Sequence, residues 1–130
     1  MTKNTEDKIR VLLIEDEEEV AELYKIKLTL DGYEVLVATS GQEGLDKALK
    51  EKPELIFLDI KMPEMDGFEV LKQLRESPKT EGTPIIILSN FDEEDLIEKG
   101  LTLGANEYLI KSQFTPEEIS DKVKDWVKEE

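Results

Sequence analysis

The chain has 130 residues, a length suited to one domain, and sets 32 acids against 17 Lys and Arg for a formal charge of −15. Lacking cysteine and histidine, it can build no disulfide, no thiolate nucleophile, no cysteine zinc site and no Ser-His-Asp triad, so its chemistry must run on carboxylates, lysine, hydroxyls and tyrosine. The scattered bases argue against a nucleic-acid surface, and apolar runs of at most four residues argue against export or membrane spanning, so a cytoplasmic protein is expected.

Residues 1–8 read as a loose tail, after which the first strand runs Ile9–Ile14 (IRVLLI). A helix pattern follows with Val20, Leu23, Tyr24 and Leu28 on one face, stopped by Asp31-Gly32. Tyr33–Ala38 (YEVLVA) is the second strand. Ser40 and Glu43 form an S-x-x-E capping box for the second helix, whose Leu45, Ala48 and Leu49 face inward. The third strand, Glu54–Leu58 (ELIFL), leads to a helix that starts at Asp66-Gly67, buries Phe68, Leu71 and Leu74, and ends near Ser77-Pro78. Pro84–Leu88 (PIIIL) precedes a fourth helix capped by Asp92, with a thin stripe of Leu96, Ile97 and Leu101 interrupted at Gly100. After Asn106–Ile110 (NEYLI), Thr115-Pro116-Glu117-Glu118 supplies a cap, a proline at the first helical position and an acid at the third. Ile119, Val123, Trp126 and Val127 form the inner stripe of that last helix.

Five βα units in a row predict a doubly wound α/β fold: a five-stranded parallel sheet in a flavodoxin-like (βα)5 three-layer sandwich, one domain over 1–130. Near-continuous Val, Ile and Leu marks the first, third and fourth strands as covered on both faces. The second and fifth alternate more, which suits edges, and the predicted strand order is 2-1-3-4-5.

Sites in such sheets form beyond the carboxyl ends of the strands, at the topological switch point. There the sequence puts Glu15 and Asp16 after the first strand, Asp59 after the third, Ser89 after the fourth and Lys111 after the fifth. Converging carboxylates repel, so one takes up a proton or a cation neutralises them. Lys111 offsets one charge, and an all-oxygen site suits Mg²⁺ or Mn²⁺. A hydroxyl and an ammonium are also what a phosphoryl group needs. Taken singly, each residue has an ordinary reading: Glu15–Glu19 as the acid-rich first turn of a helix, Ser89 as a turn hydroxyl, Lys111 as a surface lysine, Tyr108 as a half-buried edge-strand aromatic. The joint pattern, each group at the correct end of its own strand, is what chance rarely supplies.

With LIFLDIKMPEMDG at Leu55–Gly67, and VLLIEDE, IIILSN and EYLIK elsewhere, the chain from Lys8 to about Lys128 resembles the receiver domain of two-component response regulators, of the chemotaxis-regulator type. The resemblance implies that Asp59 is the phosphoacceptor, attacking a phosphohistidine on a sensor histidine kinase or histidine phosphotransfer protein. It implies Mg²⁺ (or Mn²⁺) held by Asp16, Asp59 and the Lys61 carbonyl, with Glu15 assisting directly or through water. Lys61, Ser89, Asn90 and Lys111 would bind the phosphoryl group, Lys111 pairing with Asp59 beforehand. Ser89 and Tyr108 would be the switch residues, with Pro63 and Asp66-Gly67 shaping the adjacent loop. Such a protein catalyses its own phosphorylation and dephosphorylation and turns over no external substrate. A downstream effector protein would read the surface of the fourth helix, fifth strand and fifth helix; neither nucleic acid nor membrane is expected as a direct partner.

Three positions depart from the family pattern. Glu15 replaces a commoner aspartate, and Asn90 replaces a small residue, its bulk beside Lys61 and Phe91 bearing on water access. Ser112 replaces a proline, so the Lys111–Ser112 peptide is expected to be trans. The rival reading is an unphosphorylated interaction module on the same fold. Nucleotide-binding glycine motifs are absent. The chain stops soon after the fifth helix, which leaves a stand-alone regulator and a receiver of a longer protein both open.

Overall fold

The computed structural model describes residues 8–61 and 66–128. Strand and helix alternate in the order β1 (Arg10–Ile14), α1 (Glu18–Leu30), β2 (Glu34–Ala38), α2 (Gly41–Glu51), β3 (Leu55–Leu58), α3 (Gly67–Glu76), β4 (Ile85–Ser89), α4 (Glu94–Thr102), β5 (Glu107–Ile110) and α5 (Pro116–Trp126), with a 3-10 turn at Lys111–Gln113. All pairings are parallel and the sheet order is β2-β1-β3-β4-β5, as the alternation pattern predicts. All but Lys8 of the expected tail, together with Pro63, lies outside the described residues.

The pleat divides the strand residues between two cores. Leu12, Ile14, Ile56, Leu58, Ile85 and Ile87 face α2 and α3 through Leu45, Ala48, Val70, Leu71 and Leu74. Val11, Leu13, Leu55, Phe57, Ile86 and Leu88 face α1 and α5 through Ala21, Tyr24, Leu28, Ile119 and Val123. β1, β3 and β4 are therefore buried on both sides, which is why their sequences do not alternate. Each fully buried Leu, Ile or Phe contributes roughly 1.5–3 kcal/mol relative to exposure.

Helix rotation differs from the reading of the sequence at several positions. Leu23 is 54% exposed; the buried face of α1 runs through Ala21, Tyr24 and Leu28, and Leu23 joins Ile26 and Leu30 in a second stripe pointing outward. Because α1 is apolar on two sides, spacing alone does not say which side meets the sheet. In α2 the inward face is Gly41, Gly44, Leu45 and Ala48, which turns Leu49 outward by one position. Leu101 and Trp126 are also exposed, the Trp126 indole donating to Glu107 across the edge of β5. In α3, Val70 is fully buried and Phe68 only partly.

Caps show similar adjustments. Ser40 accepts from the Glu43 N–H, but the Glu43 carboxylate takes the Thr39 N–H, so the expected box is displaced by one residue. The N-cap of α4 is Glu93, not Asp92, and its side chain makes no capping bond. The box at Thr115 and Glu118 is complete, with Pro116 at the first helical position.

Candidate functional site

Strand register brings the polar residues together. Ile14 pairs with Leu58, and Asp59 N–H continues the ladder to the Ile14 carbonyl at 3.0 Å, so Glu15 and Asp59 emerge side by side. Ser89 pairs with Ile110 at the end of β4–β5, which sets Lys111 beside it. Gly67 packs directly on the backbone of Asp59 and Ile60, leaving no room for a side chain, and its N–H bonds the Ile60 carbonyl. The Asp66-Gly67 turn thus seats α3 against the segment that carries Asp59, with Asp66 capping the helix through the Glu69 N–H.

Asp16, Glu17, Asp59, Lys61, Ser89, Asn90, Phe91 and Lys111 line an open cleft of about 480 Å³. At its floor the Lys111 ammonium lies 2.6 Å from Glu15 Oε1 and 3.3 Å from Asp59 Oδ2. The other Asp59 oxygen accepts the Lys61 N–H at 3.1 Å, and the other Glu15 oxygen accepts the Glu17 N–H at 3.2 Å. The structure thus unites every strand-end residue predicted from sequence, but it gives Lys111 its shorter contact with Glu15 rather than Asp59.

Burial sets the electrostatics here. Glu15 is almost fully enclosed, and burial pushes its carboxyl up to about 7; the bond from Lys111 pulls the other way, and the charge of Asp59 adds to the rise. Burial alone would lower the Lys111 ammonium, but its bond to Glu15 and the charge of Asp59 outweigh that and hold it above its ordinary value.

Carboxylate oxygens of Glu15, Asp16 and Glu17 come within 4.8 Å of one another, an acidic cluster able to take a hard cation. In the sequence Glu17 is legible only as part of an acidic helix turn; its position as the N-cap of α1 puts it at the cleft. Both Glu15 oxygens are already bonded, whereas Asp16 is partly open to the cleft.

On the flank, the buried Ser89 hydroxyl accepts the Phe91 N–H at 3.0 Å, and the Tyr108 hydroxyl donates to the Phe91 carbonyl at 2.8 Å. Tyr108 is therefore tied to the loop that follows Ser89. Burial raises its phenol, a rise that a hydrogen bond involving Ser89 opposes. Asn90 is exposed at the rim, and the Lys61 ammonium sits 5.6 Å from the Phe91 ring centre. The Lys111–Ser112 peptide is trans.

A parallel sheet in this order, with acids at the ends of its first and third strands and a hydroxyl and lysine at the fourth and fifth, defines the chemotaxis-regulator-like class of doubly wound protein. The chain matches the response regulator receiver domain over residues 11–124, and it belongs to that family. It is 43% identical over 115 residues to the alkaline phosphatase synthesis transcriptional regulatory protein PhoP of Bacillus subtilis, covering 88% of this chain and 47% of PhoP. It is 36% identical over 117 residues to the probable transcriptional regulator ycf27 of Porphyra purpurea, covering 90% of this chain and 46% of the relative. Among solved structures it resembles the chemotaxis protein CheY4 of Vibrio cholerae, with a TM-score of 0.86 at 31% identity over 92% of this chain and 99% of that one. The chain spans about half the length of the curated relatives it matches. No helix among the described residues is long and apolar enough to cross a membrane.

Proposed function

We propose that this receiver domain is a phosphoacceptor switch in which Asp59 takes a phosphoryl group from a phosphohistidine on a partner histidine kinase or histidine phosphotransfer protein. What carries the reading is the floor of the cleft: Asp59, with one oxygen against the Lys111 ammonium and the other on the Lys61 N–H, facing a space lined by Asp16, Glu17 and Ser89. These 130 residues contain no histidine, so the phosphohistidine donor lies outside them. An Asp59 oxygen attacks phosphorus, the bond to the donor imidazole nitrogen breaks, and its electron pair stays on that nitrogen. Lys111 and the Ser89 hydroxyl take up the charge on the transferred oxygens. The product is an acyl phosphate, which hydrolysis reverses.

The donor set fits Mg²⁺ or Mn²⁺, being all oxygen and rich in carboxylate. Asp16 and Asp59 would hold the ion with the Lys61 carbonyl, Glu15 assisting directly or through water from the same acidic cluster. When bound, it would neutralise carboxylate and phosphoryl charge.

Phosphorylation adds nearly two negative charges at this floor. Ser89 already accepts the Phe91 N–H, and its own O–H can donate to the phosphoryl group, so a shift of Ser89 toward that group would pull on Phe91. The same Phe91 holds Tyr108 by its carbonyl, so its backbone relays the event to β5 and α4. A downstream effector would read the resulting change on the α4–β5–α5 face. The test is incubation with Mg²⁺ and a small acyl-phosphate donor, followed by intact mass. One added phosphoryl group, labile to hydroxylamine and absent when the divalent ion is chelated, is expected; an unchanged mass would overturn the reading.

A further inference from the structure

The two ends of α4 are held unequally. At the carboxyl end, Gly104 N–H donates to the Leu101 carbonyl (3.1 Å) and Ala105 N–H to the Gly100 carbonyl (3.0 Å), the paired bonds of a Schellman motif. Gly104 has φ +113°, where a side chain would be strained. Arg75, from the last turn of α3, fastens this same turn. Its Nε donates to the Gly104 carbonyl at 2.9 Å. One terminal nitrogen reaches the Thr83, Glu81 and Thr80 carbonyls at 2.8, 3.1 and 3.2 Å, and the other reaches Asn106 Oδ1 at 2.9 Å. Asn106 Oδ1 also accepts the Ile85 N–H, so one planar fork joins the end of α3, the start of β4 and the turn into β5.

Other contacts cluster at this end. The Lys99 ammonium lies 4.6 Å from the Phe68 ring centre. At Gly100 the helix backbone rests on β4 and β5, where a Cβ would fall 2.6 Å from Ile87 and 3.3 Å from Tyr108. Among the described residues the amino end has nothing comparable: Glu93 caps without a side-chain bond, and Leu96 and Ile97 are only half-buried.

We infer that Arg75 is the fixed pivot of α4, a positioning residue that pins the carboxyl end so that a change in the Phe91 loop moves the amino-terminal half alone. The trigger rests on the phosphoacceptor reading; the unequal anchoring does not. Each acceptor of the fork is a carbonyl oxygen, so the guanidinium works by its geometry and not by pairing with an acid. Lysine, a single point of charge, cannot reproduce it.

The test is residue-resolved amide hydrogen exchange on the whole chain, at Leu96 and Ile97 against Leu103, Gly104 and Ala105, all of which donate backbone hydrogen bonds. In the bare protein the second group should exchange about tenfold more slowly or better. With Mg²⁺ and beryllium fluoride as phosphoryl analogue, the first group should change while the second stays within about twofold. Arg75→Gln should bring the second group to the rate of the first, and Arg75→Lys should do so in part. Phosphoryl uptake from an acyl phosphate should be unaltered in both variants, and their urea midpoints correct for global stability. Equal exchange at both ends of α4 in the bare wild type, or slow exchange at 103–105 persisting in both variants, would overturn the pivot. Failure of the crevice to take the analogue would count against the phosphoacceptor reading, while the bare-protein comparison still decides the pivot.

Discussion

Lys111 reaches 96 residues back along the chain to lie 2.6 Å from Glu15, closer than its 3.3 Å approach to Asp59. The buried glutamate is thus the lysine's principal partner, and Asp59 keeps the more open share of the ammonium. As the proposed nucleophile, Asp59, held by a long contact to lysine and a single backbone N–H, would give up little to engage phosphorus.

This arrangement makes stability depend on pH in a definite direction. Glu15 is raised from 4.5 to about 7 by burial, so between those values the unfolded chain ionises while the native carboxyl holds its proton. The contribution is fully present below pH 4.5 and is lost as pH rises toward 7. Such a shift bounds the loss at about 3 kcal/mol, and screening at the cleft brings it to the order of 1–2 kcal/mol. Asp31 (bonded by Ser120), Glu43 (by the Thr39 N–H) and Glu51 (by Arg10) are lowered instead, so their contributions fade only at more acid pH. Urea midpoints of the metal-free protein should therefore fall from pH 5 to 7, and Glu15→Gln should flatten that slope. An identical slope in the variant would contradict the assignment.

Ion binding should reverse the electrostatic penalty. A ligand at tenfold its Kd stabilises by about 1.4 kcal/mol, which for a domain of this size is a few degrees in Tm. Mg²⁺ is expected to raise the thermal midpoint of the wild type accordingly. Asp16→Asn should remove most of that rise without lowering the metal-free midpoint, because one of three crowded carboxylates has gone. A full Mg²⁺ response in Asp16→Asn would exclude this residue as a ligand.

The Tyr108 hydroxyl reports on the Phe91 loop and not on phosphorus. Tyr108→Phe should cost about 1 kcal/mol, the worth of one hydrogen bond, and leave phosphoryl uptake unaltered. Slowed uptake, measured by intact mass against time, would mean that the ring takes part in the transfer itself.

Helix α1 offers a test of packing. Leu28 is 1% exposed and Leu23 54%, so Leu28→Ala should lose about 2–5 kcal/mol and Leu23→Ala less than about 0.5 kcal/mol in urea denaturation. Comparable losses at the two sites would show that the helix is rotated from the orientation described.

Much of the site was readable before any coordinates, because a parallel sheet leaves little freedom at its carboxyl edge. Once β2 and β5 are read as edges and the order is taken as the common doubly wound 2-1-3-4-5, Asp59 emerges beside Glu15, and Lys111 beside Ser89. What sequence did not reveal depends on rotations and backbone groups. Leu23 and Leu28 are equally apolar in the sequence, and only the sheet decides which of them turns inward. The Phe91 link between Ser89 and Tyr108 uses main-chain N–H and C=O, which every non-proline residue carries and no motif marks. Glu17 was obscured by its acidic neighbours.

The most direct measurement is to map the phosphoryl group after treating wild type and Asp59→Asn with Mg²⁺ and an acyl phosphate. One hydroxylamine-labile group on Asp59, and none on the variant, is the expected result. A variant labelled as fully as wild type, or a hydroxylamine-stable label on a serine or threonine, would contradict the assignment of Asp59 as phosphoacceptor.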